Sequence, residues 1–226
     1  MVEGVKMVEE LLLSDLNIIL LAATAEWEKN HPQDIQHSFY RGLKDRELQK
    51  MSNFSSSNQV LAVASLPQQN EFEMLDKDLV LVLDSIQDPG NLGTIIRTAD
   101  WFGIDQIICS KETADAFNPK VVQASMGSVF RAKIHYANLA EILEYYQHTH
   151  RIYGSLLNGE NFYQQDLTKS GFIIIGNESK GISPQITKLI NQAIYIPKSP
   201  KSQAESLNAA VACSVILAEF KRPKIS

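Results

Sequence analysis

Ile173-Ile174-Ile175-Gly176-Asn177-Glu178-Ser179-Lys180-Gly181-Ile182-Ser183-Pro184 is the stretch on which the reading of this chain turns. A wholly apolar run of this length reads as a strand buried on both faces, the habit of parallel sheets. It stops at a glycine, and a carboxylate follows two residues later. Gly181 permits a second sharp bend. Ser183 then reads as a helix N-cap with Pro184 at the first helical position. A glutamate between two glycines at a buried strand end is poorly explained by core packing; the plain alternative is a turn that tolerates a charge.

On either side of this stretch, short apolar runs alternate with helical patterns. Strand 79–83 precedes helix 91–102, strand 106–109 precedes helix 119–126, and strand 133–136 precedes helix 139–150. Strand 152–156 follows, then strand 172–176 with helix 184–192, and strand 193–197 with helix 205–220. Such alternation builds an α/β domain with a mostly parallel sheet and helices on both faces. Ligands of such sheets bind at the carboxyl ends of the strands, which directs attention to the loops after Leu83, Gly176 and Pro197.

The loop after Leu83 reads Asp84-Ser85-Ile86-Gln87-Asp88-Pro89-Gly90-Asn91-Leu92-Gly93. Asp-Pro-Gly makes a tight turn, and Asn91 is placed as an N-cap. Gly93 allows close approach of backbone or ligand, and Arg97 falls in the second helical turn. Alone, the loop also reads as a capped helix with a surface arginine. It is neither a P-loop nor a Gly-x-Gly-x-x-Gly dinucleotide fingerprint. After Ile196 and Pro197 comes a polar loop, then Ser206-Leu207-Asn208-Ala209-Ala210-Val211-Ala212. The alanines make a slim helix that packs close to other backbone. Ser206 and Asn208 stand at its start, where free N–H groups bind anions or are simply capped.

Residues 1–70 have a different character and read as a small α/β unit. Val5, Val8, Leu11 and Leu12 fall at helical spacing within 3–13, 17–23 and 59–65 read as strands, and 42–51 reads as a helix. The polar stretch 67–78 is the candidate linker, and Ser55–Ser57 reads as loop. The second domain is therefore bounded at 77–226. Of 226 residues, 44% are hydrophobic and 21% charged, and the net charge is −5. Residues 1–76 carry 6 Lys/Arg and 12 Asp/Glu, while 77–226 carry 15 and 14. That excludes a strong general phosphate-binding surface, so contact with nucleic acid must be local. Cys109 and Cys213 read as buried, reduced thiols, and the histidines form no metal-ligand cluster. No segment reads as a signal peptide or membrane span, so cytoplasm is the default.

Taken together and in order, Asn91-x-Gly93-x-x-x-Arg97, Gly176-Asn177-Glu178-x-x-Gly181 and Ile196-Pro197…Ser206-Leu207-Asn208 resemble the three motifs of the SpoU/TrmH family of RNA ribose methyltransferases, in the SPOUT superfamily. The resemblance covers roughly residues 79–220. Asn118-Pro119-Lys120-Val121-Val122 and Ser125-Met126-Gly127-Ser128 are family-like too. Val2-Glu3-Gly4-Val5-Lys6 and Gln59-Val60-Leu61-Ala62-Val63 are similar to the ribosomal-protein-like substrate-binding domain that precedes many members, although the usual lead-in before Glu3 is missing. The chain departs from the family in Lys198-Ser199-Pro200-Lys201-Ser202-Gln203-Ala204-Glu205, which is longer than usual and lacks the common glycine.

The resemblance implies a SPOUT parallel-sheet domain with a C-terminal trefoil knot, S-adenosylmethionine as cofactor, and a homodimer whose paired knots complete the site. It implies a structured RNA substrate, ribosomal or transfer RNA with ribosomal favoured, and no metal and no membrane. Leu156, Gly176, Asn177, Gly181, Ile196, Pro197, Ser206 and Leu207 would hold the cofactor. Arg97, Asn91, Glu178, Ser206 and Asn208 would form the catalytic group. The family gives its central role to the arginine matching Arg97. A neutral guanidine is costly, which favours a positive clamp that lowers the hydroxyl pKa and holds the adjacent phosphate; an arginine base is the alternative. Asn91 and Asn208 would orient Arg97 and the ribose, and Glu178 would fix loop geometry or RNA. The rival readings are a catalytically inactive RNA-binding relative and a Rossmann-type nucleotide enzyme, the latter lacking its glycine-rich first turn here.

Overall fold

The computed structural model describes residues 1–52, 58–67, 72–74 and 78–223. The chain divides into two compact units, Met1–Gln69 and Asn70–Ser226. The loop expected at Ser55–Ser57 lies outside the described residues, as does much of the expected linker.

The first unit begins with β1 (Val2–Glu3), α1 (Val5–Leu12) and β2 (Ile18–Ala23), followed by α2 (Ala25–Glu28). Next come β3 (Tyr40–Gly42), α3 (Asp45–Met51) and β4 (Val60–Ala64). Its four strands lie in the order β1-β4-β2-β3, with β4 antiparallel to both neighbours and β2 parallel to β3. Gly4, at φ 92°, turns the chain from β1 into α1, whose Met7, Val8 and Leu11 are buried. Leu48 of α3 packs with Ala22 and Leu61. The expected helix over 42–51 starts only at Asp45, because Gly42 still pairs with Ala23 as strand. Pieces as short as β1, α2 and β3 are below the length at which periodicity shows.

In the second unit, β5 (Leu79–Asp84), α4 (Pro89–Trp101), β6 (Gln106–Cys109), α5 (Pro119–Ser125), β7 (Lys133–Tyr136) and α6 (Leu139–Tyr146) follow in turn. Then come β8 (Ile152–Asn161), β9 (Gly171–Gly176), α7 (Pro184–Thr187), β10 (Gln192–Tyr195) and α8 (Ala209–Phe220). The six strands form one sheet in the order β10-β8-β9-β5-β6-β7, and every neighbouring pair is parallel. All six residues of β5 and Gly171–Ile175 of β9 are buried, as a sheet covered on both faces demands. Part of the expected linker packs here: Met74 is buried in this core, Phe72 meets His135 and Tyr146 edge-on, and Gln106 donates to the Glu73 carbonyl.

Several boundaries differ from expectation. Helix α6 stops at Tyr146 because Thr149 and His150 both donate back to the Tyr146 carbonyl and close the turn. Helix α7 is a single turn, since Asn191 bonds to the Ile152 carbonyl and draws the chain into the sheet. Helix α8 starts at Ala209 rather than 205. Strand β8 is ten residues long, twice the expected length. Its pairing with β10 jumps from Ala193↔Gly154 to Ile194↔Glu160, so residues 155–159 swing away from β10 and rejoin it. Gly159 makes the rejoining possible: a Cβ there would lie 2.6 Å from the Ile194 carbonyl.

Candidate active site

The loop after β5 is held by two carboxylates. Asp84, 4% exposed, accepts from the Ser183 N–H at 2.7 Å and so ties β5 to the start of α7. Ser85 takes a left-handed φ of 60°, bending the chain off the strand. Asp88 then caps α4, its side chain accepting from the Asn91 N–H at 2.7 Å, with Pro89 at the first helical position. Asn91 is therefore not the N-cap that the sequence suggests. It sits inside the first turn, and its carboxamide is free for longer-range work.

That work joins the three loops. The Asn91 amide donates to Glu178 Oε1 at 2.6 Å, and Asn91 Oδ1 accepts from the Asn208 amide at 2.9 Å. Asn208, and not Ser206, is the N-cap of α8, its Oδ1 accepting from the N–H groups of Ala210 and Val211. This fixes the direction of the whole relay. The helix uses the oxygen of Asn208, so its NH2 must face the oxygen of Asn91, and the NH2 of Asn91 must then face a pure acceptor, the Glu178 carboxylate.

The middle loop is a closed turn. Asn177 and Gly181 exchange backbone hydrogen bonds of 3.0 and 2.9 Å. Asn177 Oδ1 accepts from Ser179 and Lys180, while its amide donates to the Ser85 carbonyl at 2.8 Å. A Cβ on Gly176 would lie 2.4 Å from the Gly181 carbonyl carbon, so that glycine is sterically required, while Gly181 is favoured by its left-handed φ of 68°.

Beside the relay opens a cavity of about 750 Å³. Leu156, Gly176, Asn177, Gly181, Ile196, Pro197, Ser206 and Leu207, the residues expected to hold the cofactor, all line it, with Glu178. The displaced segment of β8 supplies Ser155, Leu156 and Leu157 to one wall, and Ala209 and Ala212 of the slim helix are also in the lining. The volume is in the range of small-molecule sites, roughly 300–1,000 Å³. A mixed lining suits S-adenosylmethionine: Leu156, Ile175 and Ile196 can flank a purine, and Asn177, Ser202 and Ser206 offer polar groups to a ribose or amino acid. Gly181 leaves open space, since a Cβ there would meet nothing within 4 Å.

Asn91, Arg97 and Asn208 lie outside this lining. Arg97 is exposed on α4 and forms no hydrogen bond or ion pair among the described residues, leaving its guanidinium free for an external anion. The structural parts played by Asp84, Asp88 and Lys198 were not anticipated from the sequence. An isolated Asp near a turn carries no signal of which distant N–H it will meet. Cys213, buried in α8, has its thiol pushed up to about 12 by burial and stays neutral. Among the described residues no three His, Cys, Asp or Glu side chains are grouped to hold a metal, and no helix is long and apolar enough to cross a membrane.

Residues 78–218 match the model of the SpoU rRNA Methylase family. Over 220 residues the chain is 31% identical to the 23S rRNA (guanosine(2553)-2′-O)-methyltransferase RlmP of Bacillus subtilis, covering 96% of this chain and 86% of that protein. It is 30% identical over 156 residues, 67% of this chain and 72% of the relative, to the tRNA (guanosine(18)-2′-O)-methyltransferase of Aquifex aeolicus. Among solved structures, a TrmH-family protein from Porphyromonas gingivalis superposes with a TM-score of 0.86 at 35% identity, over 98% of this chain and 88% of that one. An AdoMet-bound rRNA methyltransferase from Sinorhizobium meliloti gives 0.84 at 26% identity, over 100% and 87%.

Proposed function

We propose, from the premise that this chain belongs to the SpoU rRNA methylase family, that it transfers a methyl group from S-adenosylmethionine to a ribose 2′-hydroxyl of a structured RNA. The observation that carries this reading is the Glu178–Asn91–Asn208 relay, which draws three loops distant in sequence to the rim of one cavity. When bound, the cofactor supplies an activated methyl sulfonium. The protein's tasks are therefore to orient the two reactants, exclude water and manage one proton.

Within that reading, residues 155–157, 176–181, 196–197 and 206–207 bind and bury the cofactor. Arg97, free of protein partners, holds the phosphate beside the target ribose and lowers the pKa of its hydroxyl; the proton leaves to water or phosphate. Asn91 and Asn208 keep the rim in register, Ser206 faces the cavity, and Glu178 anchors the relay. The first unit is a substrate-binding module. Ribosomal RNA is favoured over transfer RNA because the B. subtilis 23S enzyme matches along both units, whereas the A. aeolicus tRNA enzyme matches 67% of the chain.

The family fold further implies a trefoil knot in the C-terminal chain, a homodimer and a cytoplasmic setting. Dimerisation is supported by the outward side chains of two neighbouring helices: Trp101 on α4 is 85% exposed and Val211 on α8 is 49% exposed, with Arg97 on the same α4 surface.

The test is methyl transfer from labelled S-adenosylmethionine to 23S rRNA, to ribosomal particles and to total tRNA, with the modified position mapped. Arg97→Ala should abolish transfer while leaving cofactor affinity nearly intact. Retention of most of the rate would remove Arg97 from its role. Tight binding of cofactor and RNA by the unaltered protein, with no transfer to any RNA, would establish the inactive relative instead.

A further inference from the structure

We propose that Lys198 is a cofactor-binding residue whose ammonium takes the α-carboxylate of S-adenosylmethionine; this rests on the assignment of that cofactor to the cavity. Lys198 opens the segment in which the chain departs from its family, longer than usual and without the glycine. The segment is neither helix nor strand, yet it is folded on itself. Ser202 N–H donates to the Ser199 carbonyl at 2.9 Å, and the hydroxyls of Ser199 and Ser202 accept from the N–H groups of Lys201 and Ala204 at 3.3 Å each. Lys198 closes it. Its N–H donates to the Tyr195 hydroxyl at 3.2 Å, and its Nζ reaches across to the Ala204 carbonyl, also at 3.2 Å. Lys198 lines the cavity, whereas Lys201, three residues on, does not.

The charges around the cavity decide what Lys198 can meet. Glu178, Lys180, Lys198 and Glu205 line it. Glu178 is engaged by Asn91, and no carboxylate lies within ion-pair distance of Lys198 among the described residues. An ammonium has three donors, of which Ala204 uses one. Two donors of an ammonium with no ion-pair partner therefore remain on a residue that lines a cavity assigned to a cofactor that is itself cationic at sulfur. Such a charge opposes binding unless it meets the only anionic group that the cofactor carries, the carboxylate of its methionine end. Lys180 carries the same charge, but its ammonium is held by no protein partner among the described residues. The Lys198 ammonium is already held by the Ala204 carbonyl, so less rotamer entropy is lost on binding.

The experiment compares two ligands by calorimetry. S-adenosylhomocysteine has the carboxylate, and 5′-methylthioadenosine lacks the amino-acid portion altogether. In the full-length protein, Lys198→Met should weaken S-adenosylhomocysteine at least tenfold and leave methylthioadenosine unchanged. Lys198→Arg should keep most of the affinity, and Lys201→Met should change neither. Equal losses for both ligands would mean that Lys198 only closes the loop, and no loss for either would mean that its charge faces something other than the cofactor; each overturns the proposal. If the unaltered protein binds neither nucleoside, the assignment of the cavity itself fails, and this inference falls with it.

Discussion

A carboxamide can donate and accept at once, and Asn91 uses both ends. Replacing it with Asp puts a second carboxylate against Glu178 and removes the donor between them. Asn91→Asp should therefore lower kcat/KM by about 10²-fold or more, in line with the loss of one preorganised polar contact at a reacting centre. Cofactor affinity should change far less, because Asn91 is outside the cavity lining; steady-state kinetics with parallel calorimetry checks both. In the first unit, His31 offers a second residue-level test. Its Nδ1 faces the Trp27 carbonyl and its Nε2 faces Glu9 Oε1, both at 3.0 Å, and only the imidazolium can donate to both. Burial pulls its pKa down, but the bonds to Trp27 and Glu9 and the charges of Glu9 and Asp34 outweigh it, so the net shift is upward. A raised pKa means that the folded state holds the proton more tightly. The stabilisation is complete below the unfolded value of roughly 6.5 and is lost as pH rises through the higher folded value. Urea midpoints for the first unit's unfolding should thus fall as pH rises above about 6.5, and His31→Gln should flatten that slope. A pH-independent difference between the two proteins would refute the ion pair. The sequence marked Asn91, Glu178 and Asn208 as interesting, but it assigned Asn91 to a cap that Asp88 provides.

Among the elements, α4 packs closely on α5 beneath the first loop of the site. A Cβ on Gly93 would fall 2.6 Å from the Ala124 Cβ and 2.7 Å from the Val121 carbonyl oxygen, with no flexible side chain to give way. Gly93→Ala should destabilise the second unit by about 1–3 kcal/mol, the usual cost of overpacking, and should lower its melting temperature. Because Asn91 is on the same turn, methyl transfer should fall as well; an unchanged melting curve would contradict the packing. The alternation of strands and helices was legible from 79 to 220 because buried parallel strands are continuous apolar runs. The lengths of α7 and β8 were not legible. Ile190 and Asn191 would suit a helix locally, yet Ile190 fills the space above Gly154 and Asn191 pairs with Ile152. These contacts outweigh intrinsic propensity, which differs by only about 0.7 kcal/mol per residue among ordinary side chains.

For the whole molecule, the division into Met1–Gln69 and Asn70–Ser226 separates a small acidic unit from the unit that carries the cavity. Sedimentation should show a dimer, and Trp101→Glu should shift it to monomer and reduce methyl transfer without unfolding the chain. A wild-type monomer with full activity would end that part of the proposal. By itself the sequence determined the class of fold, the order of its strands and helices along the chain, and the three loops that matter, because apolar periodicity and glycine placement are local properties. Tertiary structure alone decided that β8 lies between β9 and β10, that its displaced segment walls the cavity, and that Asn91 joins Glu178 to Asn208 across 87 and 117 residues of chain. Those partners are fixed by which strand ends the sheet brings together, and no pattern along the chain encodes a hydrogen bond between groups that only the assembled sheet makes neighbours.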